Sequence, residues 1–253
     1  MRHRATTMFR ASNRIGLLTT AAIAATAFFA ASSVHAGMWV DDFEDSVMED
    51  WQIYNPDPTV KSWEEKDGVM TGQINVDGFT TLHLKPEGED TSVWSNYTVR
   101  ARLRLNSDPQ PGGSTSFGFA VYDRIEETMY HLCLLQYQDE NVLLYIRIGN
   151  GIGFETFPMA FEPNVWYDLA VRIETDGDTE TIIFRVDDGD TIGLTWQASI
   201  GSGGVGLLVE GGQVSFDNFS IEGDNIPDGG HMAQTSVSPA GRAAQVWGEI
   251  KRQ

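Results

Sequence analysis

Three arginines alternate in the segment Val99-Arg100-Ala101-Arg102-Leu103-Arg104-Leu105. At a period of two, Arg100, Arg102 and Arg104 project from one face of a strand, while Val99, Ala101, Leu103 and Leu105 take the other. Guanidiniums set side by side present planar forks that can clamp carboxylates or sulfates. They can equally pair across strands with the acidic side chains of this chain. Asp168, Arg172 and Glu174 share a face on a later segment, but Ala170 and Arg172 interrupt the carboxylates. His131, Cys133, Leu135 and Tyr137 share another face, and its mix of polar and apolar groups leaves open which side is inward. Gly149, Gly151 and Gly153 lie between strand-like runs, without the following helix that a phosphate-binding loop requires.

The elements that must hold these residues are strands. From Trp39 to Glu222 short alternating runs are separated by Gly, Asn, Asp and Pro clusters, and helical periodicity is absent. The clearest runs are Tyr97–Leu105, Ser116–Tyr122, Tyr130–Tyr137, Val142–Ile148, Trp166–Glu174 and Thr181–Asp187. Trp39–Phe43, Val69–Ile74 and Thr80–Leu84 add earlier ones. In Gly203–Gly223, Gly211-Gly212 separates two alternating runs and reads as the turn of a hairpin. So many antiparallel strands exceed one open twisted sheet, so the expected architecture is all-β, a two-sheet antiparallel sandwich. Trp51, Trp63 and Trp166 are expected in its core.

The ends read differently. Arg2, Arg4, Arg10 and Arg14 precede an apolar, alanine-rich run, and Val34-His35-Ala36 places small residues for cleavage before Gly37, so residues 1–36 read as a signal peptide and the mature chain as exported. No transmembrane span is expected in the mature chain. Residues 37–223 form the domain. Residues 224–253 read as a Gly, Pro and Ser-rich linker followed by a short helical stripe at Ala243, Ala244, Trp247 and Ile250, either frayed or a docking tag for an envelope partner. Losing four of 17 basic residues leaves 13 against 36 acidic ones, a charge of about −23. Such a chain repels phosphate backbones, which excludes nucleic acid as an expected partner. The lone Cys133 cannot form an internal disulfide and is expected to be a small buried hydrophobe.

A set of ordered fragments carries a family resemblance. Asp41-Asp42-Phe43-Glu44 followed by Trp51, and Trp63 before Asp67-Gly68-Val69, stand near the start. Trp94-Ser95-Asn96-Tyr97 with Val99, Gly118 to Tyr122, Gln136 to Asn141, and Val165-Trp166-Tyr167 with Leu169 and Val171 follow. Val186-Asp187-Asp188-Gly189, Gly204-Val205-Gly206-Leu207 and Phe216-Asp217-Asn218-Phe219 close the series. Together they resemble the laminin-G-like jelly rolls of the concanavalin A-like lectin and glucanase superfamily, and are similar to the 3-keto-disaccharide hydrolase domains. The resemblance implies carbohydrate as partner. It also implies a structural Ca²⁺ where the first and last strands meet, with Asp217 matching the last-strand ligand and Asp42 or Glu44 joining from the opening strand.

Binding and cleavage are then separable. The Glu-x-Asp-x-x-Glu strand of family 16 glucanases, which would place two carboxyls about 5–5.5 Å apart for retaining hydrolysis, is absent from Tyr130–Tyr137 and Val142–Ile148. The Asn-Ser-Gly element usual in keto-disaccharide hydrolases is replaced by Gly112-Gly113-Ser114-Thr115-Ser116. No catalytic residue is therefore assigned. The leading expectation is a lectin-like carbohydrate-binding or adhesion domain, with Arg102, Arg104 and Tyr137 in its groove. A glycoside or keto-disaccharide hydrolase, in which Asp168 or Glu174 would matter, and an envelope interaction module are the alternatives.

Overall fold

The computed structural model describes residues 37–54, 63–106, 114–124, 129–138, 141–148, 153–159, 161–197 and 200–232. The signal-peptide reading of 1–36 and the helical stripe of 240–251 lie outside the described residues. The strands are β1 (Gly37–Asp41), β2 (Trp51–Tyr54), β3 (Trp63–Lys66), β4 (Val69–Leu84), β5 (Ser95–Leu105), β6 (Ser114–Arg124) and β7 (Met129–Gln138). Then follow β8 (Asn141–Ile148), β9 (Gly153–Pro158), β10 (Tyr167–Asp176), β11 (Thr179–Val186), β12 (Ile192–Gln197), β13 (Gly204–Asp224) and β14 (Gly229–His231). Pairing is antiparallel except between β1 and β14. The all-β architecture expected from the sequence is the one observed.

Two long strands organise it. The first part of β13, Gly204–Glu210, pairs with β6 on one side and with Phe79–His83 of β4 on the other. Its second part pairs with β5 on one side, and with Met70–Ile74 of β4 and then β1 on the other. Both strands thus pass from one sheet into the other. One sheet runs β9-β8-β7-β6-β13-β4-β2 through the first part of β13, and the second runs β12-β11-β10-β5-β13-β4-β3 through the second part. Strands that change sheets at bends are an established way to turn a sandwich corner.

This corrects the hairpin read at Gly211-Gly212. Gly211 does adopt a positive φ, 61°, but as a bulge where the register shifts between Glu210 and Gly212. The dipeptide bends the strand without reversing it, because the long β4 offers partners to both halves. The Asp67-Gly68 pair makes the turn between β3 and β4: both residues have positive φ, and Lys66 pairs with Val69 across it.

The interior lies between the two sheets. On β5, Tyr97, Val99, Ala101, Leu103 and Leu105 are buried, as the alternation requires. A second bulge, with Asn218 at φ 51°, resets parity so that Phe216 and Phe219 both enter the core while Asp217 points out. Tyr97 ties the sheets together: its hydroxyl donates to the Gly204 carbonyl at 2.7 Å and accepts from the Tyr122 backbone N–H at 2.6 Å. Cys133 is buried, and burial pushes its thiol well above the ordinary range.

His131 also faces inward. It meets Glu180 at 3.0 Å, and both side chains are 0 % exposed. The Trp196 indole and the backbone N–H groups of Ile200 and Gly201 also donate to Glu180. Desolvation works to raise its pKa, yet the hydrogen bonds from His131, Gly201 and Ile200 outweigh it and hold the carboxyl at about 2.

The tail boundary moves as well. Asp224 still belongs to β13, and β14 pairs with β1 through its backbone, so the sheet continues past Gly223 into the segment read as a linker. Gly229-Gly230 has no side-chain pattern to betray a strand.

Candidate functional site

The arginine ladder stands on the outward face of the second sheet. In register, Arg102 lies between Asp168 of β10 and Asp217 of β13, and Arg104 lies beside Ser215. Arg100 Nη1 is 2.8 Å from Glu222 Oε1, and Arg102 Nη1 is 3.3 Å from Asp217 Oδ2. Asp168, 3.8 Å from Arg102 Nε, is 72 % exposed and contributes little. The first two arginines are therefore matched by carboxylates across the sheet, the ordinary pairing open to them in the sequence.

Arg104 is different. Its described partners are neutral: Nε donates to Asn106 Oδ1 at 3.0 Å, and the guanidinium carbon lies 4.6 Å from the centre of the Trp166 ring. Arg102 reaches the same ring at 5.1 Å. Trp166 is thus a half-buried platform on the outer face, and its assignment to the core was wrong. Leu169, Val171 and Ile173 take the inward positions of β10, which leaves even-numbered positions, Trp166 included, pointing out. Trp51 and Trp63 are buried as expected.

Beside this platform an open groove of about 560 Å³ runs over β3, β4, β13 and β5. Glu64 and Lys66 line one side, Thr71 and Gln213 the floor, and Arg104, Asn106 and Trp166 the other side. The groove combines two cations, carboxylates, an aromatic ring, two amides and hydroxyls, the polar directing groups typical of ligand sites. Arg102 and Arg104 meet over the Trp166 ring, and of the two Arg104 lines the groove. Tyr137 lies on β7 in the first sheet, opposite Thr115 and Val142, and its side chain lies outside the described residues.

Spacing along β10 bears on cleavage. Asp168 and Glu174 share a face but stand six residues apart, roughly 20 Å at strand rise. Paired glycosidase carboxyls need about 5–9.5 Å. Glu174 is engaged by Arg172.

Asp42 and Glu44 follow β1, which pairs with β13. Burial is the main cause of a raised Asp217 carboxyl, and the charges of Glu44 and Asp42 push the same way while Arg102 opposes them. The three carboxylates therefore sit within electrostatic reach. Arg102 already occupies Asp217, however, and among the described residues no group of three or more His, Cys, Asp or Glu side chains is placed to hold a metal. The side chains present do not by themselves make a calcium site.

Comparisons with known proteins place the fold. No protein-family model and no curated protein sequence matches the chain. Among solved structures, the carbohydrate-binding module CBM66 from Bacillus subtilis superposes with a TM-score of 0.52 at 16 % identity, over 68 % of this chain and 95 % of that one. A Bacillus licheniformis β-glucanase gives 0.52 at 10 % identity, covering 76 % and 100 %. Basic winged bean lectin in complex with Tn-antigen gives 0.50 at 9 %, covering 74 % and 98 %. At such identities the likeness concerns architecture, and it agrees with the ordered fragments of the sequence: the chain has the concanavalin A-like jelly-roll fold.

Proposed function

We propose that this protein is an exported carbohydrate-binding domain whose groove around Arg104 and Trp166 holds a glycan. The observation that carries the reading is the pairing of an arginine lacking a carboxylate partner in the ladder with an aromatic platform, at the wall of a groove of about 560 Å³. A pyranose face packs on an indole, while Arg104, Asn106 and Gln213 offer hydrogen bonds to hydroxyls or to a uronate carboxylate. The fold supports the reading, since carbohydrate-binding modules, lectins and glucanases share it. Arg104→Ala and Trp166→Ala should each weaken polysaccharide binding about tenfold or more, the usual cost of removing an aromatic or arginine anchor. Equal affinity in both variants, with unchanged melting temperature, would remove the groove from the account.

A structural calcium ion at Asp217 with Asp42 or Glu44 is a separate proposal. It requires Arg102 to release Asp217 and backbone carbonyls to complete the ligand set.

A further inference from the structure

On the outward face of the first sheet, away from the arginine groove, three polar side chains line an otherwise apolar cavity. Thr81 and His83 lie two residues apart on β4 and so share a face; Asp123 comes from β6. The strand between them, β13, carries glycine at the crossing: Gly206 is opposite His83, and Gly204 is opposite Asp123. A Cβ on Gly206 would sit 3.1 Å from His83 Nδ1, so the missing side chain is what lets the imidazole lie across β13 toward Asp123.

The order of contacts is directional. His83 Nε2 is 2.5 Å from the Thr81 hydroxyl, and His83 Nδ1 touches Asp123 Oδ2. Since a carboxylate only accepts, the neutral ring carries its proton on Nδ1, and Nε2 is left to accept from Thr81. The side chains of His83 and Asp123 are 11 % and 2 % exposed. Both Asp123 oxygens are buried, and neither has a hydrogen bond of ordinary geometry. The cavity, about 80 Å³, is walled by Phe79, Leu132 and Leu208 and rimmed by Tyr54, whose ring stands edge-on to His83 at 6.2 Å. Tyr54 is 43 % exposed, so the rim is open to solvent.

We propose that Thr81, His83 and Asp123 form a nucleophile, base and orienting acid that hydrolyse esters of short acyl groups, acetyl esters foremost. The sequence hydroxyl to Nε2 and Nδ1 to carboxylate is the arrangement that activates a hydroxyl nucleophile on unrelated folds. The Thr81 oxygen attacks the acyl carbon as Nε2 takes its proton, and the departing alcohol leaves with that proton as the ester C–O bond breaks. Water then attacks the acyl-threonine, giving its proton to Nε2; the carboxylic acid departs, and Thr81 regains its proton from the ring. Tyr54 is the hydroxyl donor on the rim that can meet the oxyanion. A cavity with the space of a few water molecules admits a two-carbon acyl group and no long chain. Asp123 is a positioning residue, acting through His83.

This activity stands apart from glycan binding, and its test does not depend on it. The full chain is incubated with p-nitrophenyl acetate and p-nitrophenyl octanoate. The expected result is nitrophenol release from the acetate well above that from the octanoate. Release should fall about a hundredfold in Thr81→Val and His83→Gln and survive in Thr81→Ser. Asp123→Asn should lower kcat while KM and the melting temperature both stay in place, a combination that loss of folding would not produce. Should Thr81→Val fail to fold, acid-quenched parent protein is mapped by peptide mass spectrometry, where one acetyl group on Thr81 is expected. No release by the parent, release that survives Thr81→Val, or acetylation confined to other residues would overturn the proposal. Loss of glycan binding in Arg104→Ala with esterolysis absent everywhere would leave the groove standing and remove this site alone.

Discussion

Replacing Glu180 by alanine is expected to be among the most damaging single changes in this chain. The carboxylate sits between the sheets, where β11 and β12 of one face β7 of the other. It accepts from His131, Trp196, Ile200 and Gly201, and neither member of the ion pair is exposed. Alanine strands a buried imidazole and an indole N–H together, and removing one partner of a buried pair costs about 3–5 kcal/mol. For a domain of this size that lowers the melting temperature by roughly 10 °C. Thermal unfolding followed by circular dichroism measures it, with His131→Ala and the double variant completing a cycle. The two single costs should exceed the double by at least about 1 kcal/mol, since the second removal relieves what the first left unpaired. Acid supplies an independent check. The folded carboxyl, depressed from 4.5 to about 2, contributes stability that is present above pH 4.5 and lost as pH falls toward 2. At about 1.4 kcal/mol per unit this amounts to at most about 3.5 kcal/mol. A Glu180→Ala melting temperature within about 2 °C of the parent would refute the claim that this pair joins the sheets.

Other outcomes follow from single sites. Asp41 accepts from Trp51 Nε1 at 2.7 Å and from the Phe43 N–H, yet burial raises its carboxyl from 3.8 to about 7. Its contribution is therefore full below pH 3.8 and lost as pH rises to 7, and Asp41→Asn should flatten that part of the stability profile in calorimetry. Gly118 has φ 153°, and a Cβ there would lie 2.3 Å from the Cys133 carbonyl oxygen, a backbone atom of the next strand. Gly118→Ala should cost more than about 2 kcal/mol in urea unfolding. If calcium binds at Asp217, millimolar calcium should raise the melting temperature over EDTA and Asp217→Asn should abolish the rise; equal melting with no bound metal by elemental analysis would end that proposal.

The sequence made the central strands legible because their side chains alternate over a buried face. Tyr97–Leu105 alternates cleanly and is read almost to its ends. The short strands β2, β9, β12 and β14 were missed. In β2 only Trp51 is buried, and in β12 every residue is half-buried or exposed, so no contrast marks them. Gly211-Gly212 shows the limit of local turn chemistry: the positive φ was real, and the partner strand decided that it would be a bulge. The arginine face was legible by parity. Trp166 was not, because a large aromatic next to a strand reads as core unless its parity is counted. Glu180 shares the inward parity of Ile182 and Phe184, a signal that could have exposed the buried pair. Thr81 and His83 were equally visible as a same-face pair, but Asp123 joins them only through the crossing at the β13 glycines, which no sequence spacing reveals.

The most direct test of the carbohydrate-binding reading is a glycan array and polysaccharide pull-down with residues 37–253, with reducing-end analysis of every hit. The account predicts retention of at least one polysaccharide, without release of reducing ends and with loss of retention in Trp166→Ala. Release of reducing ends would contradict it in favour of glycosidic cleavage, and no retention of any glycan would contradict it outright.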